Sequence, residues 1–175
     1  DHIKGLRQLA ERYPYMDLTR VGIFGHSGGG FASTKAIFTY PEFYKVAVSS
    51  AGNHDQRGYL AGWGELYNGL QDGDNFSAQA NPSLASGLKG NLLLVAGDMD
   101  DNVHMAMTMQ VIDALIKADK DFDMLILPNR NHAFSRDVYF IRKLWDYFVL
   151  HLLGAQPPEG YAINPKDVPP LELRF

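Results

Sequence analysis

Val21-Gly22-Ile23-Phe24-Gly25-His26-Ser27-Gly28-Gly29 runs from an apolar stretch straight into G-x-S-x-G, and a helix-like stretch over residues 30–40 follows. The spacing has a mechanical cause. A nucleophilic serine must be lifted off the end of a strand on a turn so sharp that nearby side chains would collide. Glycines two residues before and two after it let the incoming strand and outgoing helix approach, and the strained turn pushes the hydroxyl into the open. The helix behind it aims its N-terminal amides at the same spot, where negative charge is best tolerated. An ordinary glycine-rich turn can carry the same letters. The reading therefore needs an acid and a base further along, in the order serine, acid, histidine.

Both are present. Asn91-Leu92-Leu93-Leu94-Val95-Ala96 is a continuous apolar run, the pattern of a strand buried on both faces. It ends in the acidic turn Gly97-Asp98-Met99-Asp100-Asp101-Asn102-Val103-His104. A second run over residues 122–128 ends in the polar loop Asn129-Arg130-Asn131-His132-Ala133-Phe134. Ser27, the acids and His132 are thus all expected past the carboxyl ends of strands, the edge of a parallel sheet where ligands bind. Three acids stand open for one role. Asp98 or Asp101 suits a cap on a helix starting near Val103, since an aspartate there accepts free backbone amides. The remaining acid is left to orient His132 and to stabilise its imidazolium.

A chain of 175 residues with 46% apolar and 12% aromatic content is long enough for one domain with a proper core and is not disordered. No run approaches a membrane span. A net charge of −4 offers no electrostatic case for nucleic acid. Zero cysteines rule out disulfides and are compatible with cytoplasm, periplasm or secretion. Six histidines are scattered without H-E-x-x-H spacing, so neither metal nor cofactor is expected. His26, beside the nucleophile, is expected to pack or to hydrogen-bond there.

Helices are expected over residues 1–13, closed by Pro14, over 30–40, closed by Pro41, through Val111, Ile112, Leu115 and Ile116, and near the end. That last helix carries an apolar stripe of Val138, Ile141, Trp145, Phe148, Val149 and Leu152, read as core packing, and Gly154 ends it. Strands fall over 21–25, 45–52, 91–96 and 122–128. Residues 53–90, rich in Gly, Asn and aromatics, read as a lid or pocket-building insertion with short helices. The tail, residues 156–175, carries five prolines and reads as an extended arm. Four strands alternating with helices define an α/β fold with a mostly parallel sheet.

Gly-His-Ser-Gly-Gly-Gly, Gly-Asp-Met-Asp-Asp-Asn-Val-His and Asn-His-Ala-Phe together resemble the catalytic domain of the prolyl oligopeptidase group of serine peptidases, and its dipeptidyl peptidase IV-like branch most closely. The resemblance covers nearly the whole chain, and the D-D-N-V-H run is far more specific than the serine turn. It implies an α/β-hydrolase fold, with Asp100 as the triad acid beside Ser27 and His132. It also implies that Asn102 binds a substrate carbonyl. Trp63, Tyr67 and Val103 would then line a pocket for proline or another small residue, with Trp63 where the branch often has tyrosine. The Gly28 amide is the oxyanion donor within the chain. By the same resemblance a second donor, a tyrosine hydroxyl, lies upstream, as do further sheet strands and a propeller, so the chain reads as the C-terminal portion of a longer protein. A periplasmic or secreted location is implied over a cytoplasmic one.

The expected activity is peptide hydrolysis through an acyl-enzyme, with a peptide as the partner. Another acyl hydrolase such as an esterase, or a catalytically silent assembly or binding domain, would carry much of the same sequence. A strand at residues 21–25 that lacks its preceding neighbour also leads us to expect self-association.

Overall fold

The computed structural model describes residues 1–168. Its sheet has four parallel strands in the order β1 (Val21–His26), β2 (Tyr44–Ser50), β3 (Asn91–Gly97) and β4 (Asp123–Leu127). Chain order and spatial order coincide, so right-handed crossovers place all three connections on one face. That face carries α1 (His2–Arg12), α2 (Gly28–Thr39), the turn Asn81–Gly87 and a long helix after β3, Ala106–Lys117. The final helix, Val138–Phe148, follows the last strand and covers the opposite face.

Two-sided covering explains the unbroken apolar runs. Ala47, Leu92 and Leu94 point to one side, among Ile37, Val111 and Leu115. Val46, Val48, Leu93 and Val95 point to the other, among Phe140, Ile141, Leu144 and Tyr147. Each fully buried valine, leucine, isoleucine or phenylalanine among them stabilises the fold by about 1.5–3 kcal/mol relative to exposure. Trp145, expected in the buried stripe of the last helix, is 48% exposed instead. The stripe runs through Phe140, Ile141, Leu144 and Tyr147, which leaves Trp145 on its margin. A π-helical turn, Val149–Leu153, extends this helix to Gly154, whose φ of 72° closes it.

Between β2 and β3 lie the short helices α3 (Ala61–Asn68) and α4 (Asn75–Gln79). They sit over a buried polar layer of Asn53, His54, Gln56 and Asn81. We number the two later helices α5 (Ala106–Lys117) and α6 (Val138–Phe148). The described part of the tail lies back on the body. Tyr161 donates to Asp146 at 2.7 Å, and Ile163 and Val168 pack against the α6 core. Pro157, Pro158 and Pro165 belong to this part, whereas Pro169, Pro170 and the last five residues lie outside the described residues. Among the described residues no helix is long and apolar enough to cross a membrane.

Candidate active site

The turn between β1 and α2 is as tight as its glycines suggest. A Cβ on Gly25 would stand 2.3 Å from the carbonyl oxygen of Gly29, a distance no side chain survives. Ser27 itself takes φ 59° and ψ −121°, a conformation that favours glycine and that is held by its own amide donating to Ser50 O at 2.9 Å. Helix α2 begins at once, at Gly28, two residues earlier than the sequence pattern places it. The Gly28 N–H therefore belongs to the first helical turn, where amides have no partner within the helix. The edge of Trp63 lies over it, since a Cβ on Gly28 would come 2.8 Å from Trp63 Cζ2.

The loops after β3 and β4 meet this turn. Ser27 Oγ lies 3.0 Å from His132 Nε2, and His132 Nδ1 lies 2.8 Å from Asp100 Oδ2. Asp100 is 4% exposed, and its second oxygen accepts the amides of Asn102 (3.0 Å) and Val103 (2.8 Å). This corrects the assignment of the capping role. Asp100, not Asp98 or Asp101, takes the turn amides, and Val103 does not start a helix. Helix α5 starts at Ala106, whose N–H is accepted by His104 Nδ1 at 3.1 Å. Asp98 accepts Asn129 N–H at 2.6 Å, and Met99 N–H donates to Arg130 O at 3.1 Å, so the acid loop is stitched to the histidine loop. Asp101 is exposed.

With Asp100 a pure acceptor toward Nδ1–H, Nε2 is left bare to accept the Ser27 proton. A buried carboxylate facing an imidazole that faces a hydroxyl on a strained turn can activate a serine as a nucleophile. No cluster of metal-ligating side chains occurs among the described residues.

The remaining expected residues gather unevenly. Trp63 and Tyr67 touch with ring centroids 4.6 Å apart and planes tilted by 50°, and Tyr67 is 63% exposed. Val103 is buried. Asn102 accepts the hydroxyl of Tyr59 at 2.6 Å. Tyr59 was missed by sequence reasoning: it stands in extended backbone just before α3, so its four-residue spacing from Trp63 is not that of one helical face. Burial and the nearby charge of Asp100 push the Tyr59 phenol up from its ordinary value.

Comparison with known families agrees with this geometry. The model of the prolyl oligopeptidase family matches residues 1–155. The chain belongs to that family. Human dipeptidyl peptidase 8 is 32% identical over 162 residues, covering 87% of this chain and 17% of the relative. The structure of Porphyromonas gingivalis dipeptidyl peptidase 4 superposes with a TM-score of 0.74 at 30% identity, covering 85% of this chain and 22% of that one. Rat inactive dipeptidyl peptidase 10 is 29% identical over 138 residues, 77% of this chain and 17% of the relative. The similarity thus runs to the dipeptidyl peptidase IV-like branch, and the fold is that of an α/β-hydrolase. The chain spans about a fifth of the length of the curated relatives it matches.

Proposed function

We propose that this chain carries the catalytic serine site of a peptidase of dipeptidyl or oligopeptidase type, acting on peptides with proline or a small apolar residue before the scissile bond. The observation that carries the reading is the unbroken line from Ser27 Oγ through His132 to Asp100, at 3.0 and 2.8 Å. His132 Nε2 takes the Ser27 proton as Oγ attacks the carbonyl carbon, and Asp100 holds the ring in the required tautomer. The Gly28 amide donates to the oxyanion. His132 then gives the proton to the leaving amine, and the acyl-enzyme remains on Ser27. Water repeats the sequence and releases the acid, with the proton returned to Ser27.

Trp63, Val103 and Tyr67 wall the pocket for the small residue in this reading, and Asn102 faces a substrate carbonyl. The much greater length of the relatives supports a second oxyanion donor, further hydrolase strands and a propeller in a longer protein. One missing oxyanion donor typically costs about 10²–10³-fold in rate, so the 175-residue chain alone is expected to turn over poorly.

The test uses the full-length protein with chromogenic X-Pro and X-Ala dipeptide anilides, p-nitrophenyl esters and a fluorophosphonate probe. We expect anilide cleavage and covalent labelling, both abolished by Ser27→Ala. Ester turnover without anilide turnover would replace the reading by an esterase. An intact protein inert to all three would place it with the silent relatives, one of which is named as inactive.

A further inference from the structure

His26 precedes the nucleophile, and the proposed mechanism leaves it without a part. Its ring nonetheless has a partner on each nitrogen and an aromatic ring against it. Nε2 lies 2.8 Å from the backbone carbonyl oxygen of His132, and Nδ1 lies 2.9 Å from Ser50 Oγ. The ring stands edge-on to Phe134 at 5.1 Å between centroids, and Phe134 is itself buried against Phe140. It also lies 4.9 Å from the His132 ring. One side chain of β1 therefore touches β2, the histidine loop and the α6 core.

A carbonyl can only accept, so Nε2 must carry the hydrogen. In the neutral ring Nδ1 is then bare, an acceptor for the one Ser50 hydroxyl proton, for which the Gly25 carbonyl oxygen at 3.1 Å competes. Burial first, and the neighbouring His132 second, hold the His26 pKa below its ordinary value. The charged groups facing it are His132 on the loop after β4 and Asp100 on the loop after β3. A neutral ring puts no second positive charge beside His132 when that ring becomes imidazolium.

We infer that His26 is a positioning residue for the reaction: its Nε2–H grips the His132 main chain, so that the strand bearing the nucleophile and the loop bearing the base are held as one body. The consequence is specific. Asp100 and Ser27 fix the His132 ring only through its own nitrogens, and those contacts are made and broken during turnover. The grip on the carbonyl is independent of proton transfer and persists through every step. Without it the loop can drift while its side-chain bonds remain possible, and misplacement of a reacting group by about 1 Å can cost about 10²-fold in rate.

The inference rests on the proposed peptidase reading for its kinetic half, and its structural half can be read without activity. In the full-length protein, His26→Phe keeps the ring packing on Phe134 and deletes both hydrogen bonds. His26→Gln restores a donor for the carbonyl and an acceptor for Ser50. We expect faster amide hydrogen exchange over residues 129–134 in His26→Phe, with kcat and fluorophosphonate labelling of Ser27 reduced about ten- to a hundredfold and KM changed less than about threefold. His26→Gln should recover most of both. Unchanged exchange over 129–134 in His26→Phe overturns the grip, whether or not the enzyme is active. Faster exchange with unaltered kcat overturns its part in catalysis. A wild type inert to substrate and probe, with exchange still rising in His26→Phe, upholds the grip and sinks only the peptidase reading.

Discussion

Trp63 occupies the space that a side chain on Gly28 would need, its Cζ2 lying 2.8 Å from where the Cβ would stand. In the proposed site the indole would both wall the pocket and limit how closely a substrate carbonyl approaches the Gly28 amide.

The contact makes the two positions interdependent. Gly28→Ala should displace the indole and lower kcat/KM about tenfold or more in the full-length enzyme, while Trp63→Ala alone should chiefly raise KM. In the double variant the alanine at 28 meets open space, so its penalty should shrink. A coupling of about 1 kcal/mol is the expected scale for residues in direct contact. The measurement is kcat/KM for all four proteins, and strict additivity would show that Trp63 does not set the approach to Gly28.

Asp100 and Asp101 are adjacent in sequence and unlike in place. Asp100 is buried with both oxygens engaged, one by His132 and one by two turn amides, whereas Asp101 faces solvent. Asp100→Asn should favour the wrong His132 tautomer and lower kcat by about 10⁴-fold, the order seen for such a change in a serine triad. Asp101→Asn should cost less than about tenfold. Reversed sensitivities would assign the triad acid to the neighbouring residue.

The three side chains that meet here were readable because a parallel sheet puts every strand's carboxyl end on one edge. Once β1, β3 and β4 are recognised as strands, Ser27, the acidic turn and His132 have nowhere else to go. The choice among Asp98, Asp100 and Asp101 was not readable from residue types, because it depends on how the loop folds back. Asp100 both faces His132 and caps its own turn, a double use that no spacing rule anticipates. Tyr59 escaped for a related reason, and so did the particular partner of His26, a residue that the sequence led us only to expect to pack or hydrogen-bond beside the nucleophile. Their partners, Asn102 and the His132 carbonyl, lie 43 and 106 residues away, across loops whose course includes left-handed Ala51 (φ 46°) and Asn129 (φ 58°). Asparagine is at home in that conformation, but nothing in the residue type marks Ala51 for it.

His54 supplies a pH dependence with a definite sign. It is fully buried, its Nδ1 is 2.8 Å from Asn81 Nδ2, and burial lowers its pKa from 6.5 to about 3. Between those values the unfolded chain takes up a proton that the folded chain refuses. The stabilisation is complete above pH 6.5 and falls by about 1.4 kcal/mol per pH unit as the pH drops toward 3. His54→Gln removes the titrating group, so its unfolding free energy should decline less steeply between about pH 6.5 and 4 than that of the wild type. Equal slopes in denaturant titrations across this range would mean that another group governs the acid response.

The 175-residue chain by itself should associate with its own copies. Among the described residues strand β1 pairs with β2 on one side only, and Phe24 on it is 65% exposed, its ring edge-on to Phe148. A cleft of about 740 Å³ between α1 and α2 adds a mixed surface, in which Ile3, Phe31, Tyr40 and Tyr44 are interleaved with Lys4, Arg7 and Lys35. An apolar edge strand with free backbone groups templates pairing with another chain, and a symmetric dimer is the commonest closed solution. Sedimentation velocity should show the weight-average mass rising with concentration, and Phe24→Lys should shift the balance toward monomer by placing a charge on the edge. If the wild-type chain stays monomeric up to about 100 μM, the β1 edge is not sticky enough to pair, and the exposed phenylalanine is tolerated by solvent alone.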